Sequence, residues 1–321
     1  MLEPKLLTGR LFAQPKKKYM PYLNCNSNNE TIQIYYEDLG ENNPVVFIHG
    51  WPLTHAMWEY QVTPMREAGF RCITYDRRGF GKSEQSLNNY SYDALADDLK
   101  CLLDELNLEN VTLVGFSMGG GEVVRYCSKY NCERVSKIVL VSSVVPYMLQ
   151  TDDNPDGVPI EEFQQFDNSI RQDRADFLQT FGKHFYGANW IKHPVSDGIL
   201  DWTFSLAATA SQKATLSCMQ YFAQTDFRNE LSSIKIPTLI IHGDADKTVP
   251  IKATSEKAAS LIPGAIYKVY DGAPHGLFIT DKERLTNDIA SFVTTGTVEV
   301  NETYISGEIL PSNEEALITR D

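Results

Sequence analysis

Short apolar runs recur along the chain and alternate with segments in which apolar residues have helical spacing. The runs are rich in β-branched and aromatic residues and cover 44–50, 71–75, 111–117, 135–144, 236–244 and 265–270. Between two of them, the leucines Leu95, Leu99, Leu102, Leu103 and Leu106 follow a potential N-cap at Ser91. Continuous apolar strands that alternate with helices indicate an α/β fold with a mostly parallel sheet and helices on both faces. Ligands of such sheets bind outside the carboxyl ends of the strands.

The alternation stops between about residues 145 and 230, where the sequence becomes helix-like and aromatic. This segment predicts an inserted helical cap. Phe181 and Trp202 are candidates to line an apolar pocket beneath it, although aromatic residues there could equally form only the core of the cap. Further aromatic candidates in the same segment are Phe185, Tyr186 and Trp190.

Composition shifts at both ends suggest a division into five segments. They are an N-terminal extension (1–19), the first part of the core (20–144), the cap (145–230), the second part of the core (231–294) and an acidic C-terminal tail (295–321). A β-like patch, YISGEIL, interrupts the tail.

Charge and composition exclude some classes of function. The formal net charge of −13 argues against sequence-independent nucleic-acid binding, which requires a basic face. No apolar run approaches the roughly 18–20 residues that cross a bilayer, so we expect no membrane association. The first twenty residues lack the apolar segment of a signal peptide, which favours a cytoplasmic location.

The six cysteines contain no C-x-x-C pair. Cys72 and Cys101 fall within apolar patterns, and we expect buried thiols rather than disulfides or metal ligands.

The strongest chemical motif is Gly115-x-Ser117-x-Gly119, which follows a predicted buried strand and precedes a predicted helix. Glycines at these positions let a strand and a helix approach through a turn too tight for Cβ atoms. The turn exposes the serine hydroxyl at a helix N-terminus. Ser117 is therefore the candidate nucleophile, and the backbone N–H of Met118 is a candidate oxyanion donor.

A serine nucleophile needs a base, and this topology predicts the order Ser, acid, His. His275, in the loop after the last predicted strand of the core, is the preferred base. His242 ends a buried strand and suits a structural role, as does His49. His184 and His193 fall in the predicted cap, where packing or surface roles are favoured.

The acid is expected in the loop HGDADKTVP, after the penultimate core strand. Asp246, four residues before Pro250, is preferred. Asp244 is the alternative and would otherwise bridge the turn, while Asp226 lies before the strand and is a weaker candidate.

The second oxyanion donor is expected in the loop HGWPL. The backbone N–H of Trp51 is the natural donor, because Pro52 has no N–H to give.

Together these motifs resemble the α/β-hydrolases. HGWPLTHAMWE, YDRRGFGKS, GFSMGGGEVVRY, HGDADKTVP and GAPHGL stand in the order seen in that superfamily, over roughly residues 20–294. The set is similar, more narrowly, to the cofactor-free haloperoxidase (perhydrolase) and aryl-esterase branch. The resemblance implies an eight-stranded α/β-hydrolase fold, with Ser117, Asp246 and His275 as the triad and Trp51 and Met118 as oxyanion donors.

The resemblance also implies the chemistry and the partners. It implies no metal and no cofactor, a small ester or carboxylic acid as substrate, and hydrogen peroxide as an alternative to water. Pro52 stands where relatives carry a proline associated with peroxide reactivity, and we expect it near the substrate. The chain departs from the branch in its N-terminal extension, its tail and its SMGG sequence, and its oligomeric state, monomer or homo-oligomer, is left open.

Three alternatives remain at the level of the sequence. A lactamase and a carbon–carbon bond hydrolase would use the same triad. A small-ligand receptor could retain a hydrolase pocket without turnover, although a pure binder has no need of a complete Ser, Asp and His set.

Overall fold

The computed structural model describes residues 21–27, 30–299, 304–305 and 308–309. Eight strands form the main sheet, in the spatial order β1-β2-β4-β3-β5-β6-β7-β8. Their bounds are β1 (Tyr22–Ser27), β2 (Glu30–Leu39), β3 (Pro44–Ile48), β4 (Arg71–Tyr75), β5 (Val111–Phe116), β6 (Val135–Val141), β7 (Thr238–Gly243) and β8 (Ile266–Tyr270).

Strands β3 to β8 are mutually parallel, while β2 pairs antiparallel with both β1 and β4. Every residue of β5 and β7 is buried, as expected of strands covered on both faces. The predicted mostly parallel, eight-stranded sheet is thus confirmed. Two further strands of two residues each, β9 (Tyr304–Ile305) and β10 (Glu308–Ile309), extend it beside β8 and lie within the β-like patch.

Helices connect the strands. They are a 3₁₀ helix (His55–Trp58), α1 (Glu59–Glu67), α2 (Tyr92–Glu105), α3 (Met118–Tyr130), α4 (Ile160–Phe185), α5 (Asp197–Ala208), α6 (Gln212–Gln224), α7 (Arg228–Leu231), α8 (Ser255–Leu261), α9 (Leu277–Thr280) and α10 (Lys282–Thr295). Helix α2 begins as predicted, because the Ser91 hydroxyl accepts the N–H of Ala94. No helix within the described residues combines the length and apolar character that crossing a bilayer requires.

The helical cap is built from α4 to α7, which lie in the chain between β6 and β7. Helix α4 is kinked at Asp173, whose φ of −152° and ψ of 91° are not helical. The Asp173 carboxylate accepts the N–H of Asp176 at 3.0 Å, so this side chain caps the second half of the helix. The half of α4 after the kink contains the buried aromatic residues Phe177, Phe181 and Phe185.

Residues 1–19, predicted as an N-terminal extension, lie outside the described residues, as does most of the tail predicted for 295–321.

One expectation about the cysteines is wrong. Cys25 in β1 and Cys101 in α2 form a disulfide, whereas Cys72, Cys127, Cys132 and Cys218 are free. The apolar pattern around Cys101 predicted a buried thiol, whereas the residue is partly buried and bonded to another cysteine. That juxtaposition arises because α2 packs against the antiparallel edge of the sheet, which the local pattern does not specify.

Breaking this disulfide should lower stability, because it closes a sequence separation of 76 residues and restricts the unfolded chain. For a loop of that length the chain-entropy model gives about 4 kcal/mol. We expect Cys25→Ser to unfold at lower urea concentration than wild type, with Cys132→Ser as the control that removes a free thiol. Thiol titration of the unreduced, denatured protein should find four thiols of the six cysteines, and finding six would contradict the bond.

Candidate active site

Ser117 lies at a sharp turn between β5 and α3. Its φ of +53° and ψ of −119° place it in a backbone region that side chains rarely adopt. The surrounding glycines explain how the turn closes: a Cβ on Gly115 would lie 2.6 Å from the carbonyl oxygen of Gly119, and one on Gly119 would lie 2.7 Å from that of Ile48. Helix α3 therefore approaches both β5 and β3 too closely for any larger residue.

Three side chains from separate loops meet in an unbroken hydrogen-bonded chain. His275 Nε2 lies 3.0 Å from Ser117 Oγ, and His275 Nδ1 lies 2.6 Å from Asp246 Oδ2. Asp246 comes from the loop after β7 (residues 244–250, the β7 loop), and His275 from the loop after β8 (residues 271–276, the β8 loop). All three residues are buried. The parallel sheet brings them together because these loops leave the carboxyl ends of its strands.

Asp246 is held as a carboxylate. Its Oδ1 accepts the N–H groups of Thr248 and Val249, each at 2.8 Å, while Oδ2 faces His275 and, at 3.1 Å, His242 Nε2. Burial alone would raise the pKa of Asp246, but the charge of His275 and the hydrogen bonds from both histidines outweigh it and hold the pKa well below its usual value. The acid is thus poised to accept a hydrogen bond from His275.

The imidazole of His275 is also fixed by packing. The ring of Phe185, at the end of α4, stands perpendicular to it with centroids 4.8 Å apart, and the Phe116 ring lies at 4.9 Å. The Phe185 carbonyl also accepts the N–H of Gly276 at 2.9 Å. The end of the cap helix therefore secures the β8 loop directly.

His242 is closer to the chemistry than its sequence position suggested. Its Nε2 faces two acceptors, Asp246 Oδ2 and the Val249 carbonyl, both at 3.1 Å, so that nitrogen carries the proton. Its Nδ1 lies 2.6 Å from the Ser255 hydroxyl. His242 thus has a structural role, and the residue that it holds is the candidate acid, Asp246. The sequence did not reveal this contact.

The other candidate acids lie away from Ser117. Asp244 is exposed and accepts the N–H of Gly272 at 2.7 Å, so it bridges the β7 and β8 loops as expected of the alternative candidate. Asp226 forms an ion pair with Arg228 on the surface.

Two histidines of the cap are also exposed. The His184 ring lines the mouth of the site, with Nε2 3.4 Å from the Lys247 carbonyl, whereas His193 does not line it.

The loop after β3 (residues 49–54, the β3 loop) passes directly beside the serine. A Cβ on Gly50 would meet the Phe116 ring at 2.5 Å and the Cβ of Ser117 at 3.2 Å. The Trp51–Pro52 peptide bond is cis, and the N–H of Leu53 donates to the Gly50 carbonyl at 3.0 Å. Met118, the first residue of α3, follows Ser117 directly in the chain. Trp51 follows Gly50, the residue of the β3 loop that lies against Ser117.

His49 fixes the start of the β3 loop and is not available as a base. Its Nε2 accepts the N–H of Arg77 at 3.0 Å, which leaves Nδ1–H to donate to the Gly50 carbonyl at 2.8 Å. Burial, with the positive charge of Arg77 nearby, lowers the pKa of His49 to about 3. The neutral imidazole therefore holds the start of the β3 loop against Arg77.

A buried ion pair behind the site was missed at the level of the sequence. The Arg77 guanidinium donates to Glu122 of α3 at 2.8 Å and to the His49 carbonyl at 2.9 Å, and the Tyr75 hydroxyl also donates to Glu122. These contacts connect the β3 loop to the helix that begins at the serine turn. The signal available was Glu122 itself, a lone carboxylate in the apolar stretch GGGEVV.

A narrow cavity of about 60 Å³ leads to Ser117 and His275. Its walls are mainly apolar and aromatic, and its outer part carries charged side chains. The described residues that line it are Trp51, Ser117, Val144, Met148, Val158, Glu162, Phe163, Phe166, Phe181, His184, Phe222, Lys247, Thr248, Val249 and His275.

Of the predicted pocket residues, only Phe181 lines this cavity. Trp202 lies on α5, where its ring packs edge-on against Tyr60 with centroids 6.3 Å apart, because that face of α5 is turned toward α1. Pro52 is buried within the β3 loop and does not line the cavity. Neither residue lines the cavity beside Ser117, and contact of either with substrate stays a prediction.

Metal ligation has no obvious place near these residues. Across the described ranges, no group of three or more His, Cys, Asp or Glu side chains is arranged to hold an ion.

Comparison with known proteins agrees with the fold. A family model described as the alpha/beta hydrolase fold matches residues 43–282. The chain is 42% identical, over 85% of its length and 100% of the relative's, to a putative non-heme chloroperoxidase of Synechocystis sp.. It is 35% identical to the bifunctional esterase/perhydrolase DCH of Acinetobacter calcoaceticus, over 83% of its length and 98% of the relative's.

A solved structure extends this similarity to three dimensions. The bromoperoxidase of Bacillus anthracis superimposes with a TM-score of 0.81 and 44% identity, covering 85% of this chain and 99% of that one.

The glycine contacts at the serine turn predict a matched pair of variants. Gly115→Ala places a Cβ 2.6 Å from backbone that cannot move without displacing α3, so we expect it to lower the free energy of unfolding by at least about 1–3 kcal/mol. Gly182→Ala, in α4, meets no atom within 4 Å and should raise it by about 0.5–1 kcal/mol. Urea denaturation of both variants checks this, and a Gly115→Ala protein as stable as wild type would show that the turn is not sterically closed.

Proposed function

The chain belongs to the α/β-hydrolase family, and we propose that it hydrolyses small carboxylic esters through an acyl-enzyme formed on Ser117. The observation that carries this proposal is the continuous chain from Ser117 Oγ through His275 to the Asp246 carboxylate. A serine hydroxyl by itself is a weak nucleophile, and a base oriented by an acid is what converts it into a strong one.

In the proposed first step, Ser117 Oγ attacks the ester carbonyl carbon while His275 Nε2 removes the hydroxyl proton. The new Oγ–C bond forms as the carbonyl π pair moves onto oxygen. Asp246 accepts the Nδ1–H of His275, which fixes the tautomer and stabilises the imidazolium. His275 then gives its proton to the departing alkoxide as the ester C–O bond breaks, leaving the acyl group on Ser117.

The oxyanion would be stabilised by the backbone N–H groups of Trp51 and Met118. Support comes from their position, because the β3 loop lies against the Cβ of Ser117 and Met118 opens the helix that follows it. Donors fixed in place before the reaction stabilise the developing charge without reorganisation.

Water resolves the acyl-enzyme in the last step. His275 removes a proton from the water as its oxygen attacks the acyl carbon, and the proton returns to Ser117 Oγ as the acyl–oxygen bond breaks. The narrow cavity of about 60 Å³ and its aromatic walls favour short, apolar acyl groups.

Hydrogen peroxide would replace water in a second activity of the same site. A carboxylic acid acylates Ser117 with loss of water, and peroxide then attacks the acyl carbon to release a peracid and free Ser117. The peracid oxidises halide to hypohalous acid and returns to the carboxylic acid, so no metal or redox cofactor is required. The relatives named as chloroperoxidase and esterase/perhydrolase support this proposal.

Ser117→Ala tests the hydrolase proposal. Removing the nucleophile should lower kcat for p-nitrophenyl acetate by roughly 10⁴-fold or more, because neither His275 nor Asp246 can replace the serine oxygen in the acyl-enzyme. Ser143→Ala, which changes another buried serine after β6, is the control and should keep most of the activity. Equal activity of Ser117→Ala and wild type would refute the proposal, and an inactive wild type that binds a small acyl ligand tightly would favour a receptor.

Pro52→Leu tests the peroxide branch. Because Pro52 does not line the cavity, any effect must act through the shape of the β3 loop. We expect peroxide- and acetate-dependent bromination of a dye to fall by about tenfold while p-nitrophenyl acetate hydrolysis falls by less than threefold, since a shape change need not remove either backbone donor. An undiminished bromination rate would remove Pro52 from the peroxide reaction.

A further inference from the structure

The side chain of Trp51 connects the β3 loop to the cap. It is 3% exposed, and its indole N–H donates to the carbonyl oxygen of Thr215 in α6 at 2.9 Å. The rings of Phe177 and Phe181 in α4 and Phe222 in α6 meet the indole edge-on, at centroid distances of 6.1, 5.3 and 5.5 Å. One residue of the core thus contacts two helices of the cap, α4 and α6.

The backbone of the same residue belongs to the loop that passes beside the serine. On the β3 side, the loop is fixed by His49. Its carbonyl accepts from the Arg77 guanidinium, its Nε2 accepts the Arg77 backbone N–H, and its Nδ1–H donates to the Gly50 carbonyl. On the far side, Pro52 has no N–H with which to anchor the loop. The Leu53 N–H donates to the Gly50 carbonyl at 3.0 Å and closes the loop on itself. The indole contacts are the ones that join Trp51 to the cap.

We propose that the indole of Trp51 is a positioning group for the oxyanion hole. Because the indole bonds to Thr215 in the cap, the position of the cap helices determines the orientation of the Trp51 backbone N–H. The cap would then govern catalysis as well as substrate access. The inference rests on the proposed hydrolase function and adds a residue role to it.

Two other contacts place the cap against the remaining catalytic loops. The Phe185 carbonyl in α4 accepts the N–H of Gly276 beside His275 at 2.9 Å, and His184 Nε2 lies 3.4 Å from the Lys247 carbonyl beside Asp246. A displacement of α4 and α6 would consequently disturb the hole, the base and the acid together. The Phe185–Gly276 bond joins backbone atoms, whereas the Trp51 bond can be removed by changing a side chain and is the one of the three that reaches the β3 loop.

The geometry also separates positioning from stability. A backbone carbonyl has two lone pairs, so Thr215 in the interior of α6 can accept the indole N–H in addition to a helix bond. Loss of the indole N–H should leave that carbonyl satisfied within the helix, so any loss of stability should come from the smaller ring rather than from an unsatisfied carbonyl. An effect on kcat would then report the orientation of the loop.

Trp58→Phe provides a matched control for Trp51→Phe. Trp58 is also a fully buried tryptophan among aromatic rings, those of Phe47, Phe116 and Phe278, but its indole nitrogen has no hydrogen-bond partner within the described residues. Both changes remove the same atoms from the core, while only Trp51→Phe removes a bond to the cap.

The test compares kcat, KM and inhibition by trifluoroacetone, which adds to Ser117 as an oxyanion-bearing hemiketal. We expect Trp51→Phe to lower kcat by about tenfold or more with KM changed by less than about threefold, and to weaken trifluoroacetone inhibition in proportion to kcat/KM. Trp58→Phe should keep kcat within about twofold. Titration with a fluorophosphonate corrects each rate for the fraction of intact sites.

Other outcomes overturn the inference. Equal losses in the two variants, or a Trp51→Phe loss confined to KM or to thermal stability, would reduce Trp51 to a packing residue or a pocket wall. Should Trp51→Phe fail to fold, Phe177→Leu takes its place, since Phe177 contacts the indole from α4 without lining the cavity. A lower kcat with an unchanged KM in this variant supports the inference, and an unchanged kcat refutes it. Full activity in Ser117→Ala would instead overturn the proposed function, whatever Trp51→Phe does.

Discussion

The close approach of β3, β5 and α3 around Ser117 is the constraint on which the rest of the site depends. Gly115 and Gly119 permit it, since a Cβ at either position would collide with backbone at 2.6 or 2.7 Å. The approach forces Ser117 into its left-handed conformation and brings Gly50 of the β3 loop against the serine. One steric condition thus produces both the sharp turn that carries the nucleophile and the position of the loop beside it.

Buried polar groups then hold the loops at their positions. Asp246 receives four hydrogen bonds, from Thr248, Val249, His242 and His275, so its buried carboxylate is satisfied by the protein itself. Behind the β3 loop, Arg77 and Glu122 form a fully buried ion pair that also reaches His49. Such a pair adds little net stability compared with apolar packing, and its value here is the fixed geometry of the loop.

The sequence was sufficient for the fold and for the three residues that meet at the site. Continuous apolar strands have few alternatives to a covered parallel sheet, and the carboxyl ends of such strands converge whatever the detailed packing. Ser117, Asp246 and His275 each follow a strand, so their meeting could be expected from order alone. The contact of Trp202 with Tyr60 and the Cys25–Cys101 disulfide could not be predicted, because the rotation of α5 and the packing of α2 against β1 arise from contacts distant in sequence.

By itself, the sequence determined which backbone turn can form, since only glycine fits at 115 and 119, and which side chains follow the strands. The tertiary structure alone decided what those side chains touch. The contacts of His242 with Asp246, of Glu122 with Arg77 and of the Trp51 indole with Thr215 join segments of different local pattern. Hydrogen bonds between such segments leave no periodicity in the chain, because each depends on the three-dimensional placement of two elements that local propensity specifies only separately.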